Sequence, residues 1–336
     1  MAHTFIIAEI GCNHNGSVET AKRMIDQVAQ AGCDAAKFQV FHADLLASCK
    51  AESAEYQKAS MEPSETQLEM LRKLQLDEAQ LEVLSNYCAQ VGIEFFATPF
   101  DTEAVSFLEQ LGVGRYKIGS GDITDQALVS AVARTGKPVI LSTGMSTYEE
   151  IDGALEWLHA GTSGDISLLH CTSNYPTAYA DVNMRVMDSL AKKYGLPIGY
   201  SDHTIGTEIP VMAVACGACI IEKHVTLDRN MPGPDHRASL ELADLPHLVS
   251  MIRHVEQAFG QSEKGIQPSE VEIRHVARKS LVAACDLMAG DVVCREHLLV
   301  KRPGTGIEPK RLDDVVGRRL ARNVKADMPL CDEDLA

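Results

Sequence analysis

With 336 residues, 45% of them hydrophobic, the chain can bury one large core and a smaller second unit. A net charge of −16 argues against a nucleic-acid partner, because such binding relies on lysine and arginine to neutralise phosphates. The longest nearly uncharged apolar run, Ile209 to Ile221, is too short to span a bilayer and contains Gly217, so no membrane span is expected.

The amino terminus leads straight into the strand-like Phe5-Ile6-Ile7-Ala8-Glu9-Ile10, with no basic region, apolar signal core or small-residue cleavage site, which predicts a cytoplasmic protein. Ten cysteines scattered through apolar patterns read as reduced packing residues, not as a disulfide framework. Cys216 and Cys219 form a CxxC, but no second pair sits at zinc-ribbon spacing, so packing is the expected role there too.

In chain order, β-rich segments at 5–11, 35–40, 94–100, 116–120, 138–143, 166–173, 197–203 and 219–226 alternate with helical spacing, as in Val18, Ala21, Met24, Ile25 and Val28. Eight such βα units predict a (β/α)8 TIM barrel over residues 1–260. A doubly wound open sheet is the alternative, but no GxGxxG follows the first strand. The connection at 44–64 is abnormally long and reads either as a lid or as a solvated excursion. After a last helix at 243–259, residues 261–277 form a polar, Gly- and Pro-containing linker. Residues 278–336 then read as a small β-rich domain, with strands at 280–284 and 292–294. Its core is near the lower size limit, so it is expected to pack on a barrel or on a second subunit.

Barrel chemistry collects where strands end, and every expected strand ends in polar groups. These are Glu9, Lys37 with Gln39, Thr98, Lys117 with Ser120 and Asp122, Ser142, Ser173 with Tyr175, Ser201 with His203, and His224. Two lysines among Ser and Thr hydroxyls make a cradle for a small phosphorylated anion. Unit charges about 4 Å apart gain about 4 kcal/mol at an effective dielectric near 20, against about 1 in water, so an enclosed site can hold an anion despite the acidic surface. Alternatively, the lysines form structural salt bridges with Glu9 or Asp122. His203 and His224 each end a short apolar segment. As strand-end residues they are either ordinary polar groups or the two protein ligands of an open site for Mn²⁺, Mg²⁺ or Co²⁺ that polarises a carbonyl.

A series of motifs carries a resemblance along nearly the whole chain. They are Ala8-Glu9-Ile10-Gly11, Asn13-His14-Asn15-Gly16, Lys37-Phe38-Gln39, Ala97-Thr98-Pro99-Phe100, Lys117-Ile118-Gly119-Ser120-Gly121-Asp122, Leu141-Ser142-Thr143-Gly144-Met145, Cys171-Thr172-Ser173-Asn174-Tyr175-Pro176, Ser201-Asp202-His203-Thr204, Glu222-Lys223-His224 and Gly233-Pro234-Asp235-His236. In this order they resemble the sialic acid synthases, and Lys301-Arg302-Pro303-Gly304-Thr305-Gly306 resembles their antifreeze-like (SAF) domain.

The resemblance implies condensation of phosphoenolpyruvate with an N-acylated mannosamine-type sugar, giving a nine-carbon 2-keto-3-deoxy acid and phosphate. By the same carry-over, Lys37, Gln39, Thr98, Lys117, Ser120, Ser142, Ser173 and Ser201 hold phosphoenolpyruvate, and His203 and His224 bind Mn²⁺. Tyr175 and Asp235 contact the sugar, while Arg302 reaches its N-acyl group from the partner in a domain-exchanged homodimer. Glu9 or Asp122 handles the protons, and Asp122 stands where some members carry Glu. The segment 230–240 looks more like the N-acetylneuraminate and legionaminate branches than the pseudaminate branch, and N-acetylmannosamine is the expected sugar, with its 2,4-diacetamido-6-deoxy analogue as alternative. Two rival readings are a Schiff-base aldolase using Lys117 and an ice- or carbohydrate-binding protein. The tail offers only Thr305 for the latter.

Overall fold

A computed structural model of the chain describes residues 3–51, 66–162 and 164–336. Eight strands pair in sequential order and all in parallel: β1 (Phe5–Gly11), β2 (Ala35–Val40), β3 (Glu94–Pro99), β4 (Tyr116–Ile118), β5 (Val139–Ser142), β6 (Ile166–Cys171), β7 (Ile198–Asp202) and β8 (Ile220–Thr226). β8 also pairs with β1, so the sheet closes into a (β/α)8 barrel and the open doubly wound alternative is excluded.

Side chains on each strand alternate between the barrel interior and the helical shell, and the interior set changes character along the strands. Ile7, Ala35, Phe96, Ile140, Leu169 and Ile220 form an apolar plug at one level. Two residues further on, the same strands carry Glu9, Lys37, Thr98, Ser142, Cys171 and Glu222. The barrel is thus stoppered by hydrocarbon below and polar above. Gly199 lies in the plug level on β7, where a Cβ would sit 2.5 Å from Leu169 Cδ2 and 2.6 Å from the Ile220 carbonyl oxygen.

The outward faces pack against amphipathic helices with defined ends. Helix α1 (Val18–Ala31) starts at Ser17, whose hydroxyl accepts from the Thr20 amide, and stops at Gly32 in the left-handed region. A short helix, α2 (Ala43–Leu46), occupies the start of the long connection after β2, and α3 (Gln67–Leu74) follows behind a Thr66–Glu69 capping box. Most of the 44–64 stretch read as lid or excursion lies outside the described residues.

Several expectations need correction. β4 stops at Ile118, not at residue 120, because the chain turns at Gly119, with the Asp122 amide donating to the Gly119 carbonyl at 3.2 Å. All ten cysteines are free thiols, but Cys49, Cys216, Cys285 and Cys294 are exposed and so are not packing residues. The 261–277 stretch, read as linker, ends in a helix, Val271–Ala277. It starts behind Pro268 and a Gln267–Glu270 capping box, and nothing between Val271 and Ala277 breaks a helix.

The chain divides into two compact units, Met1–Gly260 and Gln261–Ala336. The second has its own small core, including Leu281, Leu287, Val293, Leu298, Ile307 and Leu330. Its ladder pairs Ser280–Ala283 antiparallel with Leu298–Lys301. The strand expected at 292–294 is only an isolated bridge from Val292 to Arg319, since the backbone turns at Asp291 and again at Arg295–His297. Among the described residues no helix is long and apolar enough to cross a membrane.

Candidate active site

A cavity of about 520 Å³ opens at the carboxyl ends of the strands. Every barrel residue singled out in the sequence lines it, from Glu9 and Lys37 on β1 and β2 to His224 and Asp235 on and after β8. Arg302 belongs to the second unit, where it is exposed and its Nε donates to the Ala277 carbonyl at 3.0 Å.

The two lysines meet at the floor around a carboxylate that sequence reading left aside. Lys37 Nζ lies 2.7 Å from Glu9 Oε2 and 3.2 Å from Glu222 Oε1, and it donates to Thr98 Oγ1 at 3.0 Å. Lys117 Nζ lies 3.6 Å from Glu222 Oε2. The salt-bridge alternative is therefore correct for Lys37 and Glu9, but the acid common to both lysines is Glu222, not Asp122. Burial works to raise the Glu222 pKa, yet Lys117 and Lys37 together hold it well below the usual carboxylate range. Burial lifts Glu9 to about 7 against the pull of Lys37. It also lowers Lys117, whereas Glu222 and Glu9 outweigh burial at Lys37 and raise it.

Hydroxyls close the floor. Ser120 and Ser173 approach to 3.0 Å between their Oγ atoms, and Ser142 and Ser201 are buried beside them in the lining. Gly144 permits this arrangement: a Cβ there would stand 2.4 Å from Ser173 Oγ, 2.8 Å from Cys171 Sγ and 3.1 Å from Ser120 Oγ. Asp122, at the rim after β4, is raised to about 6, chiefly by burial and then by the charge of Asp125, and its Oδ2 is buried with no hydrogen-bond partner.

The imidazoles of His203 and His224 face one another with ring centroids 5.6 Å apart, and the Tyr175 ring packs 4.2 Å from His203 and 5.9 Å from His224. Burial pushes both histidines below their ordinary pKa, so both are neutral at pH 7. His203 Nδ1 lies 2.8 Å from the Thr172 carbonyl, which can only accept, so the proton sits on Nδ1 and Nε2 keeps its lone pair. His224 Nδ1 is buried without a hydrogen-bond partner. Asp235 Oδ2 is 4.0 Å from it, and burial lifts that carboxyl to about 6. His203 is held from behind. Lys223, pointing out of the barrel, binds Asp202 Oδ2 and donates to the Thr204 carbonyl at 2.5 Å, while Asp202 Oδ1 accepts from the Thr204 amide at 3.1 Å.

The NeuB family model matches residues 24–264 of this chain, and the SAF domain model matches residues 278–336. The chain belongs to the NeuB family. Its relatives include the N,N'-diacetyllegionaminic acid synthase of Legionella pneumophila, 43% identical over 98% of this chain and 94% of that one. The human N-acetylneuraminate-9-phosphate synthase is 36% identical over 98% of this chain and 92% of that protein. A crystal structure of the N-acetylneuraminic acid synthetase of Leptospira borgpetersenii superposes with a TM-score of 0.71 at 36% identity, covering 81% of this chain and 90% of that one. The NeuB chain described here is thus one of a family of sugar acid synthases.

In this NeuB chain, no group of three or more His, Cys, Asp or Glu among the described residues is arranged to hold a metal ion. The imidazole pair is all that the chain would offer a metal ion here. That pair fits a divalent cation taking its other ligands from substrate and water: both rings are neutral, one nitrogen is buried without a partner, and His203 has the carbonyl-bonded second nitrogen usual in metal ligands. Sequence reasoning missed Glu222, Cys12, Cys171 and the apolar side chains at the β2–β3 side of the cavity. Glu222 had a usable signal, since it stands two residues before His224 on the same strand face.

Gly144→Ala is expected to push Ser173 Oγ out of the cradle. Inorganic phosphate should bind about tenfold more weakly, or ~1.4 kcal/mol, with little change in the urea midpoint. Isothermal titration beside a denaturation curve checks both.

Proposed function

We propose that this chain condenses phosphoenolpyruvate with the open-chain aldehyde of an N-acetylated amino sugar and with water, releasing phosphate and a nine-carbon 2-keto-3-deoxy acid. The observation that carries this reading is a single cavity in which two lysines, a set of hydroxyls and a neutral imidazole pair converge. The sugar we propose is 2,4-diacetamido-2,4,6-trideoxymannose, with N,N'-diacetyllegionaminic acid as product. Higher identity to the Legionella pneumophila enzyme than to the human one favours this alternative over the N-acetylmannosamine expected from the sequence.

Lys37 and Lys117 offer point charge to the phosphate and carboxylate of phosphoenolpyruvate, and Gln39, Thr98, Ser120, Ser142, Ser173 and Ser201 offer directed hydrogen bonds. His203 and His224 would hold Mn²⁺, Mg²⁺ or Co²⁺, which supplies Lewis-acid polarisation of the sugar's C1 carbonyl when bound. C3 of phosphoenolpyruvate forms the new bond to C1, the cation left at C2 takes up water, and the C2–oxygen bond to phosphate breaks as the added oxygen becomes the C2 carbonyl and its second proton leaves with the phosphate. Two protons have to be managed, one delivered to the C1 oxygen and one removed from the water.

Glu9 pairs in register with His224 on one side and Lys37 on the other, so it stands beside the imidazole pair and suits the C1 oxygen. Burial raises its pKa to about 7, which keeps the protonated form accessible near neutrality, as a general acid requires. Asp122 lies at the rim after β4, near Lys117, and at about 6 is mostly ionised at pH 7, which suits the base. Tyr175 and Asp235 flank the sugar. Arg302 would come from a second copy of the chain, in a domain-exchanged homodimer, to meet the N-acyl group.

Phosphate release from phosphoenolpyruvate, with the diacetamido sugar and Mn²⁺, should be rapid in the wild type and absent in folded His203→Ala. A borohydride-trapped pyruvate adduct on Lys117 without phosphate release would establish the aldolase instead.

Activity should follow a narrow bell in pH. It should rise near 6 as Asp122 loses its proton and fall near 7 as Glu9 loses its own. The residual activity of Asp122→Asn should lack the rising limb and that of Glu9→Gln the falling one, each with a loss of about 10²–10⁴-fold. Interchanged limbs would reverse the two roles.

Arg302→Ala should raise the KM for sugar at least about tenfold and leave that for phosphoenolpyruvate unchanged, as expected for a group that contacts only one substrate. Mixing it with His203→Ala should restore turnover if sites are shared between copies; no recovery in mixed dimers argues for sites built within one chain.

A further inference from the structure

The cavity has two chemically different sides. The floor and the β6–β8 rim are polar, whereas the β2–β3 side is walled by Phe41, Leu46, Met70, Leu71, Leu74 and Phe100. We infer that this wall selects the sugar, receiving the C6 methyl and the 4-acetamido methyl of a 2,4-diacetamido-6-deoxy aldose and disfavouring hydroxyls at those positions. The inference rests on the condensation proposed above and adds the element that reads the far end of the sugar.

The wall is built, not incidental. Phe41, Met70 and Leu74 are buried and form an apolar cluster with Cys12 and Ala43, separate from the barrel core and its plug. Phe41 and Phe100 meet edge to face with centroids 6.1 Å apart. Helix α3 begins at its own capping box, and the chain just after it is tied to the start of α2 by Gln75 Oε1 accepting from the Ala43 amide at 2.9 Å, with the Arg72–Asp44 ion pair alongside at the surface.

Strand order gives the wall its place. β1 alone separates β8, with His224, from β2, so a sugar whose C1 lies beside Glu9 and His224 can extend across β1 toward α3. A sugar hydroxylated at C4 and C6 would lose water there and find few partners. The 6-deoxy, 4-acetamido sugar instead brings two methyl groups to the apolar side chains. It also brings one amide, which Gln67 on the same helix can meet with its own donor and acceptor. An apolar pocket rejects an added hydroxyl by a factor of about 10² at most, which sets the scale of selectivity.

The test compares kcat/KM for 2,4-diacetamido-2,4,6-trideoxymannose and for N-acetylmannosamine, with Mn²⁺ and saturating phosphoenolpyruvate, in wild type, Leu71→Asn and Leu46→Asn. Both substituted residues are half-buried, so if one variant lacks a cooperative thermal transition the other carries the comparison. The wild type should prefer the diacetamido sugar by about 10–100-fold, and either folded variant should narrow the ratio about tenfold with the KM for phosphoenolpyruvate unchanged. Turnover with no preference, or a ratio that neither folded variant moves, overturns the wall and leaves the condensation standing. Phosphate release with neither sugar overturns the condensation, and the wall with it.

Discussion

The site depends on Glu222 standing between two ammonium groups inside a closed barrel. Lys37 and Lys117 are both buried, and each works against the other's charge. Two like charges in that space would discharge or drive the floor apart unless an anion lay between them. Glu222 is that anion, 3.2 Å from one and 3.6 Å from the other. Buried ion pairs of this kind are weak sources of stability, because desolvation consumes most of the Coulombic gain. The arrangement makes better sense as preorganisation: Glu222 holds both lysine side chains at one spot on the cavity floor, where the phosphate of the proposed substrate would meet them together.

The strand period turns that local arrangement into a whole cavity. On β8, Ile220 closes the plug, Glu222 bridges the lysines and His224 faces His203, all on one side of one strand. Lys223, between them, points outward and ties Asp202 to the Thr204 carbonyl behind His203. One five-residue stretch therefore supplies core, charge and imidazole on its inner face and the brace for the neighbouring loop on its outer face. A single-residue slip of β8 would exchange the two sets, which is why the apolar plug matters to the chemistry above it.

This also explains what could be read from the sequence and what could not. The eight strands and the convergence of their polar ends were legible because both follow from alternation along short segments, which needs no knowledge of the partners. Glu222 went unnoticed because Glu222-Lys223-His224 reads as a polar strand end, and which member bridges two lysines depends on β2 and β4, both more than a hundred residues earlier in the chain. The apolar wall was illegible for a similar reason. Met70, Leu71 and Leu74 are an ordinary amphipathic stripe until α3 is set against Phe41 by contacts across the 44–66 interval. The exposed cysteines and the helix at Val271–Ala277 were misjudged because a composition rule stood in for burial and for a capping box.

The two carboxylates beside Lys37 show how one fold can hold two protonation states within a few ångströms. Both Glu9 and Glu222 are fully buried, and burial raises both. Glu222 has two ammonium neighbours and stays ionised. Glu9 shares only Lys37, feels the charge of Glu222 as well, and rises to about 7. The ionised bridge thus does more than anchor the lysines: its negative charge helps keep a proton on Glu9, beside the imidazole pair, where the proposed condensation would need one at the C1 oxygen. An amide at position 222 would hold neither the lysine charges nor that proton in place, so the anion binding and the proton supply proposed for this site would share one electrostatic origin.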